Sequence, residues 1–395
     1  MKLTVPLFSL FTAICLLAGP QLAGAGKKPI RFGATSSFDG KYAEPSAMLL
    51  KGYKLWEQEV NQRGGLLGRP VEIVVHNDHS RKSRVREAYS AMFRQGDVDL
   101  VLAPYSTSLT MAALKVCRDN NAVLVASGAS GAEIWNQGAE SVFGVYALAE
   151  RYFIGFLDLI ARQGLSNVAV IFEDNLFNRD AARGVQHWAP QFGLEIKGML
   201  GFVPGTGQLH QAWQAACELK PQALIVCSYP PAGHRLLKLM EQAASRPDTV
   251  AMAITPVHPD FAGQAGPIAE NIFAPSQWEP NKRIPFPGTQ RFIQTFQDLY
   301  DQPPSYHAAS AYAACQVLEK AIVSTQSLNQ TRIRDFIRSL DTVTAIGRFK
   351  VDHTGKQVGH NPLIVQWQGG KKQIVYPPRL RTAVPRFEGL PEQTQ

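Results

Sequence analysis

The sequence is poor in cysteine and in charged residues, and both shortages exclude classes of protein. Five cysteines in 395 residues are too few for a disulfide scaffold, and none has the spacing of a zinc finger. Charged residues make up 18% of the chain and apolar residues 45%, which is the composition of a packed core. A disordered or collagen-like protein is therefore excluded, and the length favours two domains.

A long apolar run is also missing once the first 25 residues are set aside. Lys2 precedes an uncharged, mostly apolar stretch at residues 5–18, and Ala23 and Ala25 are small residues of the kind that a signal peptidase reads. The stretch is shorter than the roughly 20 apolar residues that span a membrane, and Pro6 lies within it. We predict a cleavable signal peptide at residues 1–25 rather than a membrane anchor, and a soluble exported protein with no later membrane insertion.

Positive charge is not concentrated enough to predict a polyanion partner. The formal charge of +8 is mild for this length. A basic run at Arg81, Lys82, Arg84 and Arg86 has no aromatic residues interleaved with it. This pattern is typical of a solvated helix face. We expect no nucleic-acid partner.

Four cysteines remain after a signal peptide containing Cys15 is removed, namely Cys117, Cys217, Cys227 and Cys315. Export places them in an oxidising compartment, where disulfides are permitted. Cys117 and Cys315 fall in predicted helices, and a buried free thiol is at least as good an interpretation as a bridge. Their pairing stays open.

Strands and helices alternate along the first part of the mature chain. Nearly all-apolar runs predict strands at residues 30–36, 71–75, 100–103 and 122–126, and helices are predicted at 46–62, 85–93 and 109–120. Tyr53 and Trp56 lie on the apolar face of the first helix and are predicted to be core. Strands this apolar are buried on both faces, which indicates a parallel sheet with right-handed crossovers.

A second alternating series begins near residue 148. Helices are predicted at 153–161, 179–188, 209–219 and 235–244, and strands at 168–172, 223–226 and 250–254. Three helices then follow at 289–300, 306–324 and 332–340, and β segments at 347–351, 363–367 and 373–376 end the chain. Two such series are too much for one compact core, so we predict two lobes.

Hydroxyl-bearing residues follow two of the predicted strands. Tyr105, Ser106, Thr107 and Ser108 lead from one strand directly into a helix, and Ser127 and Ser130 follow the strand predicted at 122–126. In open parallel sheets ligands bind beyond the carboxyl ends of the strands, and a helix amino terminus favours an anion such as a carboxylate. Ser106 or Ser108 could instead only cap its own helix. One serine can do both, so the two interpretations stay open.

Three further patterns suggest chemistry but are better explained as ordinary structure. His76 and His79 lack a third metal ligand nearby, so we expect no metal site. Residues 128–132 resemble a hydrolase elbow around Ser130, but Ala132 stands where the last glycine belongs. Residues 205–207 lack the remainder of a dinucleotide fingerprint and are read as a turn. We expect no cofactor and no catalytic residues.

Several segments together resemble the type I periplasmic binding proteins of ABC transporters, in the leucine/isoleucine/valine-binding group. The resemblance covers nearly all of the mature chain, and its order and spacing make it specific. It rests on residues 30–36, 59–69, 105–108, 204–207, 304–307, 367–371 and 375–377.

The resemblance implies an α/β protein with two doubly wound lobes, three crossovers and a ligand cleft between the lobes. Lobe 1 would comprise residues 26–147 and 276–351, and lobe 2 residues 148–275 and 352–395. It further implies a periplasmic, non-enzymatic receptor that closes on a small carboxylate-bearing ligand and delivers it to an inner-membrane ABC permease. A soluble sensory receptor of the same fold is an alternative, and a hydrolase acting through Ser130 is a third.

The resemblance also implies a set of ligand-binding residues. The position of Ser106 usually binds an amino acid's carboxylate, and those of Gly128 and Ser130 meet its ammonium group through a carbonyl and a hydroxyl. Tyr42 stands at the place of an aromatic wall, and Phe177 stands where lobe 2 often contributes a Tyr. The full expected set is Tyr42, Tyr105, Ser106, Thr107, Gly128, Ser130 and Phe177.

One position departs from the family's pattern. Many amino acid binders place a glutamate after the strand that ends here near Ile254, and Val257 aligns best with that acid. A buried ammonium group without a carboxylate partner is costly. Asp260 supplies the acid if the register slips. Otherwise a hydrophobic or aromatic carboxylate becomes a credible ligand in place of a branched-chain or other hydrophobic amino acid.

Overall fold

The computed structural model describes residues 27–138, 140–244 and 246–387. The predicted signal peptide therefore lies outside the described residues. Within the described ranges, no helix combines the length and the apolar character needed to cross a membrane.

The first sheet is built from the first alternating series. Strands β1 (Ile30–Ser36), β2 (Val71–Asn77) and β3 (Leu100–Val101) pair in parallel in the order β2-β1-β3, and β4 (Leu124–Ala126) pairs in parallel with β5 (Val142–Gly144). Helices α1 (Ala43–Gln62), α2 (Lys82–Gln95) and α3 (Thr107–Asp119) connect them. The βαβ prediction is confirmed; β3 is shorter than expected and β5 was not predicted.

The second series forms the core of a larger sheet. Its strands are β6 (Asn167–Glu173), β7 (Glu195–Phe202), β8 (Ala223–Cys227), β9 (Thr249–Met252) and β10 (Phe273–Ser276), all parallel. Its helices are α4 (Ile154–Arg162), α5 (Leu176–Trp188), α6 (Gln208–Glu218), α7 (Pro230–Gln242) and α8 (Phe261–Ala265).

The chain then returns to the first sheet before it ends on the second. Helices α9 (Thr289–Tyr300), α10 (Tyr306–Thr325) and α11 (Gln330–Ser339) precede a hairpin of β11 (Asp341–Thr344) and β12 (Gly347–Lys350). Strands β13 (Leu363–Gln368) and β14 (Lys371–Tyr376) complete a seven-stranded sheet in the order β14-β13-β10-β9-β8-β6-β7. The chain thus passes between the sheets after β5, after β10 and after β12.

We call the two resulting bodies lobe 1 (β1–β5, α1–α3, α9–α11, β11 and β12) and lobe 2 (β6–β10, β13, β14 and α4–α8). In lobe 1 helix α10 packs directly on α1. A Cβ atom added at Gly52 of α1 would lie 2.1 Å from the carbonyl oxygen of Ala308 in α10, so this close approach requires glycine. Tyr53 and Trp56 are buried in the core, as predicted.

Candidate functional site

A small cavity of about 10 Å³ lies between the two lobes, at the carboxyl ends of strands from both sheets. Ligand pockets usually measure roughly 300–1,000 Å³, so the lobes are closed here around little more than the space of one water molecule, and a ligand enters only when the lining side chains or the lobes move apart. Half of the ten lining residues are tyrosines, and no lining side chain carries a carboxyl group or a basic group. The lining residues are Tyr105, Thr107, Gly128, Ser130, Tyr146 and Tyr306 from lobe 1, and Tyr152, Phe177, Tyr229 and Ile254 from lobe 2.

The amino end of α3 supplies hydrogen-bond donors at one side of this cavity. The amides of Thr107 and Ser108 open the helix and find no acceptor among the described residues. The hydroxyl oxygen of Thr107 accepts the N–H of Gly131 at 3.0 Å, so its proton stays available to a ligand. These groups and the helix dipole together favour a carboxylate here.

Ser106 acts as the cap of α3. Its Oγ accepts the amide of Leu109 at 3.2 Å, and its backbone has φ +79°, which is unusual for a residue other than glycine. Its own amide donates to the carbonyl of Gly128 at 3.0 Å. Ser106 is buried but does not line the cavity. The capping interpretation is thus confirmed, and a role in binding stays a prediction.

Two of the expected residues following β4 are brought to the cavity. Ser130 Oγ lies 3.1 Å from the hydroxyl oxygen of Tyr152, which bridges the lobes. Gly128 packs so tightly that an added Cβ would lie 3.1 Å from the Cα of Tyr105. One acceptor position of the Gly128 carbonyl is already used by the amide of Ser106.

Aromatic rings close the cavity from lobe 2. Phe177 packs against Tyr152 and Tyr229, with ring centroids 5.3 Å and 5.8 Å away. Tyr42 packs edge-on against Tyr229 at 4.8 Å and against Tyr105 at 5.9 Å. Tyr42 therefore stands behind the wall instead of lining the cavity.

The lining is electrically neutral because burial holds its groups in their uncharged forms. Burial raises the pKa of Tyr152 to about 12, and it raises the pKa of Tyr306 well above the usual range. Burial also lowers the pKa of His307 to about 3, and the neutral imidazole Nδ1 lies 3.1 Å from the hydroxyl of Tyr146. The cavity therefore offers hydroxyl groups, ring faces and one helix amino end.

No acid stands where the family places one. Val257 is buried in a short 3₁₀ helix (Thr255–Val257), and its carbonyl accepts the ammonium of Lys372 at 2.8 Å. Asp260 is exposed and does not line the cavity, so the alternative that it replaces the acid is wrong.

Carboxyl groups nevertheless bridge the lobes beside the cavity. Asp180 of α5 accepts the amide of Ala132 from lobe 1 at 2.8 Å. Burial and the neighbouring carboxyl of Glu133 raise the pKa of Asp180 to about 7. On another side of the cleft, Glu44 of α1 has its pKa raised to about 7 by burial.

Two histidines of lobe 2 face Glu44. The Nε2 atoms of His234 and His258 lie 4.0 Å and 3.9 Å from its carboxylate oxygens. Burial lowers the pKa of both imidazoles and raises that of Glu44, so no pH charges both partners fully and these contacts are at most weak ion pairs. A further contact joins Lys41 of lobe 1 to Glu173 of lobe 2 at 3.4 Å.

Other patterns from the sequence have ordinary structural explanations. His79 Nδ1 pairs with Asp39 at 2.8 Å, and His76 is exposed. The described residues contain no group of three or more side chains placed to hold a metal. Within the same ranges, no histidine hydrogen-bonds to Ser130. The basic run at the start of α2 is exposed to solvent, as predicted.

The four cysteines within the described residues are free thiols. Cys117, Cys227 and Cys315 are buried, and Cys217 is partly buried. Burial raises the pKa of the Cys217 thiol, and more strongly those of the other three. These thiols therefore stay protonated and serve as small apolar core residues.

Five lining residues were missed from the sequence: Tyr146, Tyr152, Tyr229, Ile254 and Tyr306. Tyr229 and Ile254 each stand two residues after the end of a strand, β8 and β9 respectively. Ligands bind beyond the carboxyl ends of parallel strands, and this rule, from which Tyr105 and Ser130 were predicted, applies equally to Tyr229 and Ile254. Tyr146 follows β5, a strand of three residues that carries little sequence signal.

Known proteins resemble this chain over most of its length. A family model described as periplasmic binding protein matches residues 29–372. The Leu/Ile/Val-binding protein homolog 7 of Brucella suis biovar 1 (strain 1330) is 21% identical over 381 residues, covering 92% of this chain and 94% of that protein.

Two solved structures share the fold. The branched-chain amino acid transporter substrate binding protein LivJ from Streptococcus pneumoniae, in complex with isoleucine, has a TM-score of 0.78 at 19% identity and covers 89% of this chain and 100% of its own. A solute binding protein of an ABC transporter from R. palustris, in complex with benzoate, has a TM-score of 0.77 at 17% identity and covers 88% and 96%. The family match and the two α/β lobes around a cavity show that the chain belongs to the periplasmic binding protein family, in its type I, leucine/isoleucine/valine-binding-like group.

Proposed function

We propose that this protein is the periplasmic solute-binding component of an ABC importer and that it captures a small carboxylate by closing two lobes on it. It is exported through a cleavable signal peptide and acts as a receptor without catalysis. The observation that carries the proposal is the uncharged, hydroxyl-lined cavity between the lobes at the amino end of α3.

The carboxylate binds at the first turn of α3 in this proposal. The amides of Thr107 and Ser108 donate to it, and the hydroxyls of Thr107 and Ser130 complete its hydrogen bonds. These neutral donors and the helix dipole replace a positively charged side chain. Ser106 supports the turn by capping the helix, and Tyr105 and Phe177 provide ring faces.

The ligand's body is hydrophobic or aromatic. Tyrosine rings and Phe177 surround it, and apolar surface buried against rings stabilises binding. No acid lines the cavity to pair with an ammonium group, which favours an aromatic or hydrophobic carboxylate over an α-amino acid. Relatives of this fold hold both classes, since the two structures named above contain isoleucine and benzoate.

Closure makes delivery depend on the ligand. A ligand that contacts both Thr107 of lobe 1 and Phe177 of lobe 2 stabilises the closed form relative to the open one. An inner-membrane permease that recognises only the closed form then receives only loaded protein.

A thermal-shift panel tests the ligand class. Benzoate, 4-methylpentanoate, leucine and isoleucine are compared with the methyl esters of the same acids, which lack the negative charge. The carboxylates are expected to raise Tm and the esters are not, because a ligand that binds only the folded protein stabilises it by mass action. Stabilisation by α-amino acids alone contradicts the ligand class, and equal shifts from acids and esters contradict the carboxylate site.

A further inference from the structure

A second, larger cavity lies where the chain crosses between the lobes. It measures about 540 Å³, which is within the range of roughly 300–1,000 Å³ that ligand pockets usually have. Its lining residues come from 151–155, which end the first crossover, from 277–286 within the second, from 359–363 at the end of the third, and from 346–348 and 376–380. The described residues that line it include none of those that line the cavity at α3. We call it the hinge cavity.

The mouth of the hinge cavity is positively charged. Arg151, Arg348 and Arg379 line it and are exposed, and none of its described lining residues is acidic. Arg348 is paired with Asp341, with 2.8 Å between Nε and Oδ1. Arg151 donates to the neutral amide oxygen of Asn361 at 2.8 Å, and Arg379 has no ion-pair partner in the part of the chain that the structure describes. Two positive charges at the mouth are therefore uncompensated by a contact, which favours the approach of an anion.

The inner walls of the hinge cavity are apolar. Trp278, Ile284 and Ile346 are each at most 3% exposed, and Leu363 is also buried. Phe286 is partly buried and adds a second aromatic ring. Apolar surface of a ligand gains free energy when it is buried against such walls, and aromatic rings add directional contacts.

Two ring nitrogens in this lining have no hydrogen-bond partner. Trp278 Nε1 and His360 Nε2 are buried, and neither bonds to any other described residue. The indole N–H is only a donor, and a buried donor without an acceptor is costly. Burial lowers the pKa of His360 to about 4, so its imidazole is neutral and adds no charge to the cavity. The lining thus holds an unused donor for an acceptor atom of a ligand.

We propose that the hinge cavity is a second binding site, which takes an anion with an aromatic or otherwise apolar body. Arg151 and Arg379 hold the anionic group, the apolar walls cover the body, and an acceptor atom of the ligand receives the N–H of Trp278. The site shares no lining residue with the cavity at α3. It therefore goes beyond the proposed function and does not depend on which carboxylate the lobes enclose.

Two fluorescent probes that differ by one charged group test the site. 8-Anilinonaphthalene-1-sulfonate carries a sulfonate on its aromatic body, and N-phenyl-1-naphthylamine has the same body without the sulfonate. We expect the sulfonate to bind the wild-type protein and its affinity to fall several-fold when salt is raised from about 0.02 M to about 0.5 M, because salt screens exposed charges. The affinity for the neutral probe should change less than about twofold over the same range.

Paired arginine variants locate the bound sulfonate. The double variant Arg151→Gln, Arg379→Gln should weaken sulfonate binding by about tenfold and leave the affinity for the neutral probe within about twofold. Arg86→Gln, Arg235→Gln is the matched control, because it removes the same charge from two exposed arginines that line neither cavity. The control should bind the sulfonate within about twofold of wild type.

A variant of the cavity at α3 completes the test. Thr107→Val should leave the affinity for the sulfonate within about twofold, since Thr107 does not line the hinge cavity. A loss as large as that of the Arg151 and Arg379 variant means that the probe binds between the lobes, and this overturns the hinge site.

Three other results also overturn the hinge site: no binding of the sulfonate to wild type, an affinity for it that salt does not change, or equal losses in the two double variants. None of these results bears on the proposed function, which the thermal-shift panel of carboxylates and esters tests. If that panel fails while the sulfonate binds as expected, the proposed function falls and the hinge site stands.

Discussion

Ligand affinity should increase as the pH falls from 8 to 6, because closure buries the carboxyl of Asp180 against lobe 1. In the closed structure this carboxyl accepts the amide of Ala132 and faces Glu133, while Arg183 lies 3.5 Å away on its own helix. Burial first, and the contact with Glu133 second, raise the pKa of Asp180 to about 7. A raised pKa means that the closed form holds a proton that the open form releases.

The size of the effect follows from the pKa difference. In the open form Asp180 is solvated and has a pKa near the ordinary value of about 3.9, so it is charged across this pH range. Between about pH 4 and pH 7 closure takes up a proton, and each unit of rising pH then weakens binding by about tenfold, or about 1.4 kcal/mol. Above pH 7 the dependence fades, because Asp180 is then charged in both the open and the closed form. Between pH 8 and pH 6 the Asp180 contribution is therefore a gain of about tenfold in affinity.

Calorimetry in two buffers of different ionisation enthalpy measures this proton directly. Asp180 should account for an uptake of about half a proton per ligand bound at pH 7. Asp180→Asn keeps an acceptor for the amide of Ala132 and a donor for Glu133. The variant should therefore bind ligand at pH 8 as tightly as wild-type protein whose Asp180 is protonated, and its proton uptake at pH 7 should be smaller by about half a proton. Any remaining uptake is assigned to Glu44, whose pKa burial also raises to about 7, and Glu44→Gln should remove it. An Asp180→Asn variant with the same proton uptake and pH profile as the wild type would refute the reasoning.

Three further substitutions test separate parts of the account. Ser106→Ala should lower the free energy of unfolding by about 1 kcal/mol through loss of the helix cap and change carboxylate affinity less than about threefold; a large loss of affinity at unchanged Tm contradicts this. Thr107→Val should weaken carboxylate binding by about 1.5–3 kcal/mol in calorimetry, whereas Thr107→Ser should bind normally, and equal binding by both variants contradicts the α3 site. Gly52→Ala should lower the unfolding free energy by about 1–3 kcal/mol or more in denaturant titrations, because its Cβ would meet Ala308; an unchanged midpoint contradicts this.

The architecture was readable from the sequence because buried parallel strands are apolar along their whole length. The bounds of β1, Ile30–Ser36, and of α9, Thr289–Tyr300, agree with those predicted. Strands with mixed patterns were missed. β7 is an edge strand with partly exposed residues and Gly198 and Gly201 within it, and β10 contains Pro275, which is unusual inside a sheet.

The candidate site was predictable in part. Tyr105, Thr107 and Ser130 stand in hydroxyl-rich turns after apolar strands, which are visible in the sequence. Gly128 and Phe177 were expected from the family resemblance, and the structure brings all five residues to one cavity. Tyr306 begins a helix in a part of the chain that is remote in sequence. Its place in the cavity depends on how α10 packs, which no local pattern encodes.

Ser106 illustrates a different limit. Its hydroxyl can cap a helix or bind a carboxylate, and the two roles use the same residue at the same position. The structure shows the cap through the bond from Leu109, while the cavity wall itself is formed by Thr107. The absence of an acid at Val257 is visible in the sequence alone, whereas the contact of Lys372 with the Val257 carbonyl joins segments that are far apart in sequence.

The central claim is that a ligand's carboxylate binds at the amino end of α3, inside the closed cavity. A crystal structure with the tightest-binding carboxylate of the panel tests it most directly. The account predicts carboxylate oxygens within hydrogen-bonding distance of the Thr107 and Ser108 amides, with the ligand's body against Phe177 and the other lining rings. A carboxylate that points away from α3, or a ligand bound outside this cavity, would contradict it.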